Sequence, residues 1–172
     1  MSGNVEIERK FLVASSDWRD EVSQADPIRQ AYVAVTDKLN VRVRRYGPDA
    51  FLTVKGKAVG ITRKEIETAV PVEFVEAVLA EGLFQGQPVE KTRYLVPHKG
   101  FTFEIDVFEG ANAGLVVAEI ELESEESDFP RPPWLGEEVT ADHRYSNSYL
   151  AQHSWSEWGP PVEPPGGQVG GQ

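Results

Sequence analysis

An alternation of apolar and charged residues with a period of two recurs along this sequence and limits the fold more than any other feature. In the first stretch, Val5 to Val13, the alternation places Glu6, Glu8 and Lys10 together on one side of an extended chain. Two carboxylates about 6.7 Å apart along a strand, followed by a cation, could hold a hard divalent metal and an anion side by side. This interpretation depends on whether later strands repeat the design.

Later stretches do repeat it, and short turns separate them. Strands are predicted over residues 28–36, 39–44, 51–57, 61–70, 89–97, 101–109 and 115–123, with a short edge strand over 137–140. Helices are predicted after the capping residues Ser15 to Asp17, from Pro71 to Gly82, and beyond Asp142. About seven or eight strands with short turns predict a sandwich or a closed barrel in the mainly β (α+β) class.

The charged residues are sorted along the chain, because carboxylates dominate the first and last strands and cations dominate the middle strands. One interpretation is a sandwich whose charged faces meet water, as antiparallel sheets usually do. The other is a barrel whose apolar faces pack under helices and whose charged faces point inward. The sorting of charge and the amphipathic helix after Pro71 favour the barrel. Such an interior would pair its charges or bind ions, and about eight strands leave room for one small ligand.

Composition narrows the chemistry further. The chain has no cysteine, so any metal must bind oxygen or imidazole ligands. A net charge of −11 argues against a general nucleic-acid binder, although a basic cleft can coexist with an acidic exterior. No apolar run approaches the roughly 18 residues that span a bilayer, and no signal peptide precedes the first strand, so we expect a cytoplasmic protein without a membrane partner. We expect one domain over residues 1–158 and a disordered Pro/Gly-rich tail over 159–172.

The ordered set of charges resembles the CYTH superfamily, also called the triphosphate tunnel metalloenzymes. The ExExK signature of that family matches Glu6-Ile7-Glu8-Arg9-Lys10. The other charged positions follow in order: Arg42-x-Arg44, Lys55, Glu65-x-Glu67, Lys91-x-Arg93, Glu104-x-Asp106 and Glu119-x-Glu121. The segment from Trp134 to Asn147 is similar to the C-terminal part of the short bacterial members, whose last helix plugs one tunnel end. The resemblance covers approximately residues 4–153 and places the CYTH domain within residues 1–158.

The resemblance implies a closed eight-stranded antiparallel β-barrel tunnel with helices packed outside and a C-terminal plug helix. It also implies a small-molecule triphosphate substrate and Mg²⁺ or Mn²⁺ as the cofactor, with two ions in the active complex. The implied metal ligands are Glu6, Glu8, Glu119, Glu121 and Asp106. The implied substrate-binding residues are Lys10, Tyr32, Arg42, Arg44, Lys55, Arg63, Lys91 and Arg93. The implied catalytic residues are Lys10 and three acids that are candidates for orienting the attacking water: Asp106, Glu65 and Glu67.

The leading hypothesis for function is hydrolysis of inorganic tripolyphosphate to pyrophosphate and phosphate, because the layout is short and lacks an added base-recognition domain. Alternatives within the family are a class IV-type adenylate cyclase that converts ATP to cyclic AMP, and a thiamine or nucleoside triphosphatase. A non-enzymatic polyphosphate- or nucleotide-binding module is a third alternative. Such a module would need the cations but not the carboxylates, so the acidic residues favour catalysis. The sequence leaves the oligomeric state, monomer or homodimer, open.

Overall fold

The computed structural model describes residues 2–160, with the backbone alone described at Ser2. Its strands are β1 (Ser2–Val13), β2 (Gln24–Val35), β3 (Leu39–Tyr46), β4 (Asp49–Gly56), β5 (Thr62–Ala69), β6 (Gln85–His98), β7 (Phe101–Phe108), β8 (Val116–Glu121) and β9 (Leu135–Glu138). Its helices are α1 (Val72–Ala80), α2 (Asn147–Gln152) and α3 (Trp155–Trp158), with 3₁₀ turns at Asp17–Glu21, Gly110–Asn112 and His143–Tyr145. Over these residues, none of the helices is both long enough and apolar enough to cross a membrane.

Strands β1 to β8 form a closed antiparallel barrel in the order β1-β5-β4-β3-β2-β6-β7-β8 and back to β1. Closure depends on the length of β1, because its first half pairs with β5 (Gly3 opposite Ile66) and its second half with β8 (Lys10 opposite Glu119). This stagger is what a tilted, closed barrel requires. Strand β9 joins the end of β1 on the edge opposite β8, as an extra strand. The predicted closed eight-stranded barrel is confirmed, and the sandwich interpretation is wrong.

Apolar side chains pack on the outside of the barrel, beneath helices and loops. Val75 and Leu79 of α1 bury against Ala31, Val43 and Ala50 of strands β2 to β4, as the helical spacing predicted. A second outer cluster joins the first 3₁₀ turn and the segment before β9 to β1, β6, β7 and β8: Phe11, Trp18, Val96, Phe103, Ile105, Ala118, Ile120 and Trp134. Successive side chains of a strand point to opposite faces of the sheet. Since the apolar side chains pack on the outside of the barrel, the alternating charged side chains line its interior.

The segment after β9 packs across one end of the barrel. Leu150 of α2 and Trp155 of α3 are buried in a cluster with apolar side chains of β2, β6, β7 and β8. Gly86 permits this close approach, since a Cβ atom at that position would overlap the backbone carbonyl of Ala151. The C-terminal helices therefore plug this end of the barrel, as the family resemblance implied.

The strand boundaries differ from the predictions at two prolines. Strand β2 begins at Gln24 and continues through Pro27, and β6 begins at Gln85 and continues through Pro88. The carbonyl of Pro27 accepts a hydrogen bond from the backbone N–H of Gly47, and its missing N–H is not needed in the ladder. The first predicted helix is only a 3₁₀ turn. The tail predicted over residues 159–172 lies, from residue 161 onward, outside the described residues.

Candidate active site

The interior of the barrel contains a cavity of about 880 Å³. This volume lies within the usual range of small-molecule sites, about 300–1,000 Å³. All sequence-predicted site residues except Asp106 line it: Glu6, Glu8, Lys10, Tyr32, Arg42, Arg44, Lys55, Arg63, Glu65, Glu67, Lys91, Arg93, Glu119 and Glu121. Residues of the plug, between Thr140 and His153, complete its wall. The structure thus brings these predicted residues together around one cavity.

The order of strands around the barrel separates the two signs of charge. Neighbouring strands β1 and β8 carry an acidic wall, which consists of Glu6, Glu8, Glu119 and Glu121. Strands β3, β4 and β6 carry a basic wall, which consists of Arg42, Arg44, Lys55, Lys91 and Arg93. Strand β5 separates the walls on one side of the ring and β7 on the other. A ligand in the cavity therefore meets carboxylates on one side and cations on the other.

Asp106 is fully buried behind the basic wall. Arg93 donates to both carboxylate oxygens, at 2.8 and 2.9 Å, and Lys91 Nζ donates to Oδ2 at 2.6 Å. Burial alone would raise the pKa of Asp106, but the two cations outweigh burial and hold that pKa well below its ordinary value. Both oxygens of Asp106 are thus engaged in fixing two cations. A role for Asp106 as a metal ligand or as the acid that orients water remains a prediction.

The pKa of Glu8, in the acidic wall, is shifted in the opposite direction from that of Asp106. Burial, and then the charges of Glu119 and Glu6, raise the pKa of Glu8 to about 8. Glu119 differs because Lys10 lies nearby and lowers its pKa against the effect of burial. Lys10 and Lys55 oppose this rise in the pKa of Glu8 but do not cancel it, so an added positive charge would favour its ionised form.

The cations of the basic wall are crowded. Burial, followed by repulsion from Arg42 and Arg93, lowers the pKa of Arg44 to about 10. Glu67 lies 3.8 Å from Arg42 and 3.7 Å from Arg44, and Thr53 donates a hydrogen bond to it at 2.8 Å. Sequence reasoning did not single out Thr53, although its alternation with Lys55 on β4 could have found it. The crowding of like charges makes this wall attractive to an anion.

The acidic wall has the composition expected of a site for Mg²⁺ or Mn²⁺. Its carboxylates are the hard oxygen ligands that these ions prefer. As the side chains stand in residues 2–160, no three carboxylate or imidazole groups converge closely enough to hold an ion. Lys55 Nζ donates a hydrogen bond to Glu6 Oε1 at 3.1 Å, and Arg93 Nη2 lies 3.9 Å from Glu119 Oε1. The carboxylate oxygens of the acidic wall suit a divalent ion. To coordinate the metal, Glu6 would have to give up its ion pair with Lys55.

Residues 4–152, most of the chain, match the family described as the CYTH domain. The chain belongs to this family. Two curated relatives named inorganic triphosphatase are similar to this CYTH protein. The one from Acetivibrio thermocellus is 42% identical over 153 residues, which is 89% of this chain and 97% of that protein. The one from Nitrosomonas europaea is 42% identical over 151 residues, which is 85% of this chain and 96% of that protein.

A solved structure supports the same fold. The crystal structure of the inorganic triphosphatase NE1496 matches this chain with a TM-score of 0.63 at 41% sequence identity. The match covers 85% of this chain and 93% of that chain. The match therefore supports the barrel fold described above.

The plug of this CYTH barrel makes polar contacts that the sequence pattern did not reveal. Asn147 Oδ1 accepts hydrogen bonds from Lys91 Nζ at 3.0 Å and from Gln30 Nε2 at 2.9 Å. The carbonyl oxygen of Tyr145 accepts one from Lys10 Nζ at 3.2 Å. Gln30 could have been found by alternation along β2, whereas Asn147 lies on a helix whose docking is a tertiary event. The plug therefore contacts two lysines of the site directly.

Proposed function

We propose that this protein hydrolyses inorganic tripolyphosphate to pyrophosphate and phosphate, with Mg²⁺ or Mn²⁺ as the cofactor. The observation that carries the proposal is the separation of an acidic wall from a basic wall within one cavity. A triphosphate with a bound divalent metal matches both walls, because its oxygens suit the cations and its metal suits the carboxylates. The names of the two relatives at 42% identity support the same activity.

The basic wall would bind the phosphate chain. Arg93 is anchored to Asp106 through Nε and Nη2, so its position is set before a ligand arrives. Donors that are already oriented need no reorganisation during reaction, which makes them effective in stabilising charge on phosphoryl oxygens. Arg63 lines the cavity and forms no ion pair with the other residues of the 2–160 region. Its guanidinium is therefore a donor that substrate could occupy without displacing a partner.

The acidic wall would hold the metal, through Glu6, Glu8, Glu119 and Glu121. When bound, a divalent ion neutralises phosphoryl charge and makes a bound water more acidic. Lys10 lies beside this wall, and although burial opposes it, the charges of Glu119 and Glu8 raise the pKa of Lys10, which keeps it protonated. We assign Lys10 to stabilising negative charge on the transferred phosphoryl group.

Two acids remain candidates for orienting the attacking water, and both line the cavity. Burial, followed by its hydrogen bond with Glu6, raises the pKa of Glu65, as suits a group that exchanges protons. Glu67 is held instead between Arg42 and Arg44. We therefore favour Glu65 over Glu67 for this role, and we assign Asp106 to holding the basic wall.

The test offers purified protein tripolyphosphate, ATP and thiamine triphosphate in parallel with Mg²⁺ or Mn²⁺, and measures phosphate, pyrophosphate and cyclic AMP. We expect tripolyphosphate to give equal amounts of phosphate and pyrophosphate. Glu8→Gln should abolish most of this turnover, and the matched control Glu123→Gln, at an exposed position beyond β8, should retain it. Cyclic AMP as the main product of ATP would replace the proposal with the cyclase alternative. Binding of tripolyphosphate without turnover would replace it with the binding module.

The remaining expectations about partners stay predictions. A small triphosphate is the expected ligand, and the net charge of −11 still argues against nucleic acid. A cytoplasmic location and the absence of a membrane partner are also predictions. The oligomeric state is open.

A further inference from the structure

Lys91 of β6 reaches a point where β7 and the plug helix α2 meet. Its ammonium group donates to Asp106 Oδ2 at 2.6 Å and to Asn147 Oδ1 at 3.0 Å. Only 2% of the residue is exposed, yet it lines the cavity. An ammonium group carries three N–H donors, so two are committed to protein and one remains for a ligand.

The hydrogen bonds fix the orientation of two amide groups. The ammonium of Lys91 can only donate, so the Asn147 atom beside it must be the oxygen. The Gln30 atom 2.9 Å from that oxygen must then be the amide nitrogen Nε2. As a consequence, Gln30 Oε1 is buried with no hydrogen-bond partner anywhere in the described part of the chain. A buried acceptor without a partner is destabilising, so this arrangement points to a role beyond packing.

We propose that Asn147, backed by Gln30, is a positioning residue that holds Lys91 with its third N–H directed at the triphosphate. The identity of the ligand rests on the proposed function, whereas the contact itself does not. Asp106 alone fixes one N–H of an ammonium that can still rotate on its flexible stem. The second contact, from the plug helix, removes that freedom. Helix α2 is then part of the site as well as its cover.

The first test removes or replaces the acceptor and measures tripolyphosphate hydrolysis with Mg²⁺ or Mn²⁺. Asn147→Ala should lower kcat about 10- to 100-fold with little change in KM, because a hydrogen bond to a charged group is lost. Alanine is favourable in a helix, so α2 should be retained. Asn147→Asp keeps an acceptor for both donors and should restore kcat, but its charge should repel the phosphates and raise KM. The control Gln87→Ala removes an exposed amide from β6, the strand that carries Lys91, and should change neither kcat nor KM.

The second test asks whether Gln30 acts through Asn147. Gln30→Leu removes the donor and keeps a similar volume, and it should lower kcat only a few-fold. In an Asn147→Ala background the same change should cause no further loss, because residues that act in series are not additive. Independent, multiplicative losses would overturn the assignment of Gln30. A purely structural role for Asn147 would lower the melting temperature and leave kcat unchanged well below it, which would also overturn the proposal.

A third readout does not depend on turnover. In protein labelled with ¹⁵N-lysine, the Nζ resonance of Lys91 can be identified by its loss in Lys91→Arg. In the wild type the hydrogens on this Nζ should be protected from exchange with solvent. Asn147→Ala should remove that protection and Gln87→Ala should not. If the wild type fails to hydrolyse tripolyphosphate but this dependence is observed, the proposed function fails and the positioning role stands. An unchanged Lys91 resonance in Asn147→Ala would refute the positioning role whatever the activity.

Discussion

Asp106→Asn keeps the size of a fully buried side chain and removes its charge. Lys91 and Arg93, which are 2% and 7% exposed, would then lose the carboxylate that both contact. Removing one partner of a buried ion pair costs about 3–5 kcal/mol. The asparagine can still accept one hydrogen bond, so we expect the free energy of unfolding to fall by about 3 kcal/mol.

Urea denaturation in metal-free buffer measures this loss. With an m-value of about 2 kcal/mol/M, the midpoint should fall by about 1.5 M. The matched control is Asp142→Asn, because Arg144 donates to both oxygens of Asp142 at 3.0 and 2.7 Å in the same forked geometry on the surface. The control should leave the midpoint unchanged within error, since exposed ion pairs contribute little. Equal shifts in the two variants, or none in Asp106→Asn, would refute the reasoning from burial.

The dependence of this effect on pH has a definite sign. The pKa of Asp106 is lowered in the folded protein from an ordinary value of 3.8, so its stabilising contribution is complete above that value. The contribution is lost as the pH falls toward the folded pKa. The difference between the wild type and Asp106→Asn should therefore be constant from about pH 5 to 7 and narrow below about pH 4. A difference that widened in acid would contradict the assignment.

Four further substitutions test other parts of the molecule. Glu8 has a pKa of about 8 and so holds a proton at pH 7; Mn²⁺ binding should release it, and calorimetry in two buffers should detect less release from Glu8→Gln than from the wild type. Gly100→Ala meets no atom within 4 Å and should cost about 1 kcal/mol of unfolding free energy from its left-handed backbone alone. Gly86→Ala should cost about 2 kcal/mol more and impair hydrolysis, because the carbonyl of Ala151 must move. Arg63→Gln should raise KM about tenfold and leave the urea midpoint unchanged.

The inner face of the barrel could be predicted from the sequence because alternation is a local property. Charges at Glu6, Glu8 and Lys10 share a face in any extended strand, and the strand pairing then decides only which faces meet. The depth of Asp106 could not be predicted in this way. It follows from the β6–β7 register, which places Asp106 directly opposite Arg93 and brings Lys91 onto the same carboxylate.

Two other features escaped prediction for physical reasons. The predicted strands began only after Pro27 and Pro88, yet each proline lies within a strand where its missing N–H is tolerated. Asn147 belongs to a six-residue helix whose own sequence carries no sign of its partners. Its contacts with Lys91 and Gln30 exist only after the helix docks against β2 and β6.

Strand adjacency explains why buried acids of the same barrel have opposite properties. Asp106 lies opposite a cation in the β6–β7 ladder, and its pKa is low. Glu8 is buried near Glu119 of the neighbouring strand β8 and Glu6 of its own strand, and its pKa is high. Added positive charge would therefore favour the ionised form of Glu8, and an added anion would relieve the repulsion that Arg42 and Arg93 exert on Arg44. A metal alone would satisfy the acidic wall and a triphosphate alone the basic wall, so the cavity should bind the two together more tightly than either one singly.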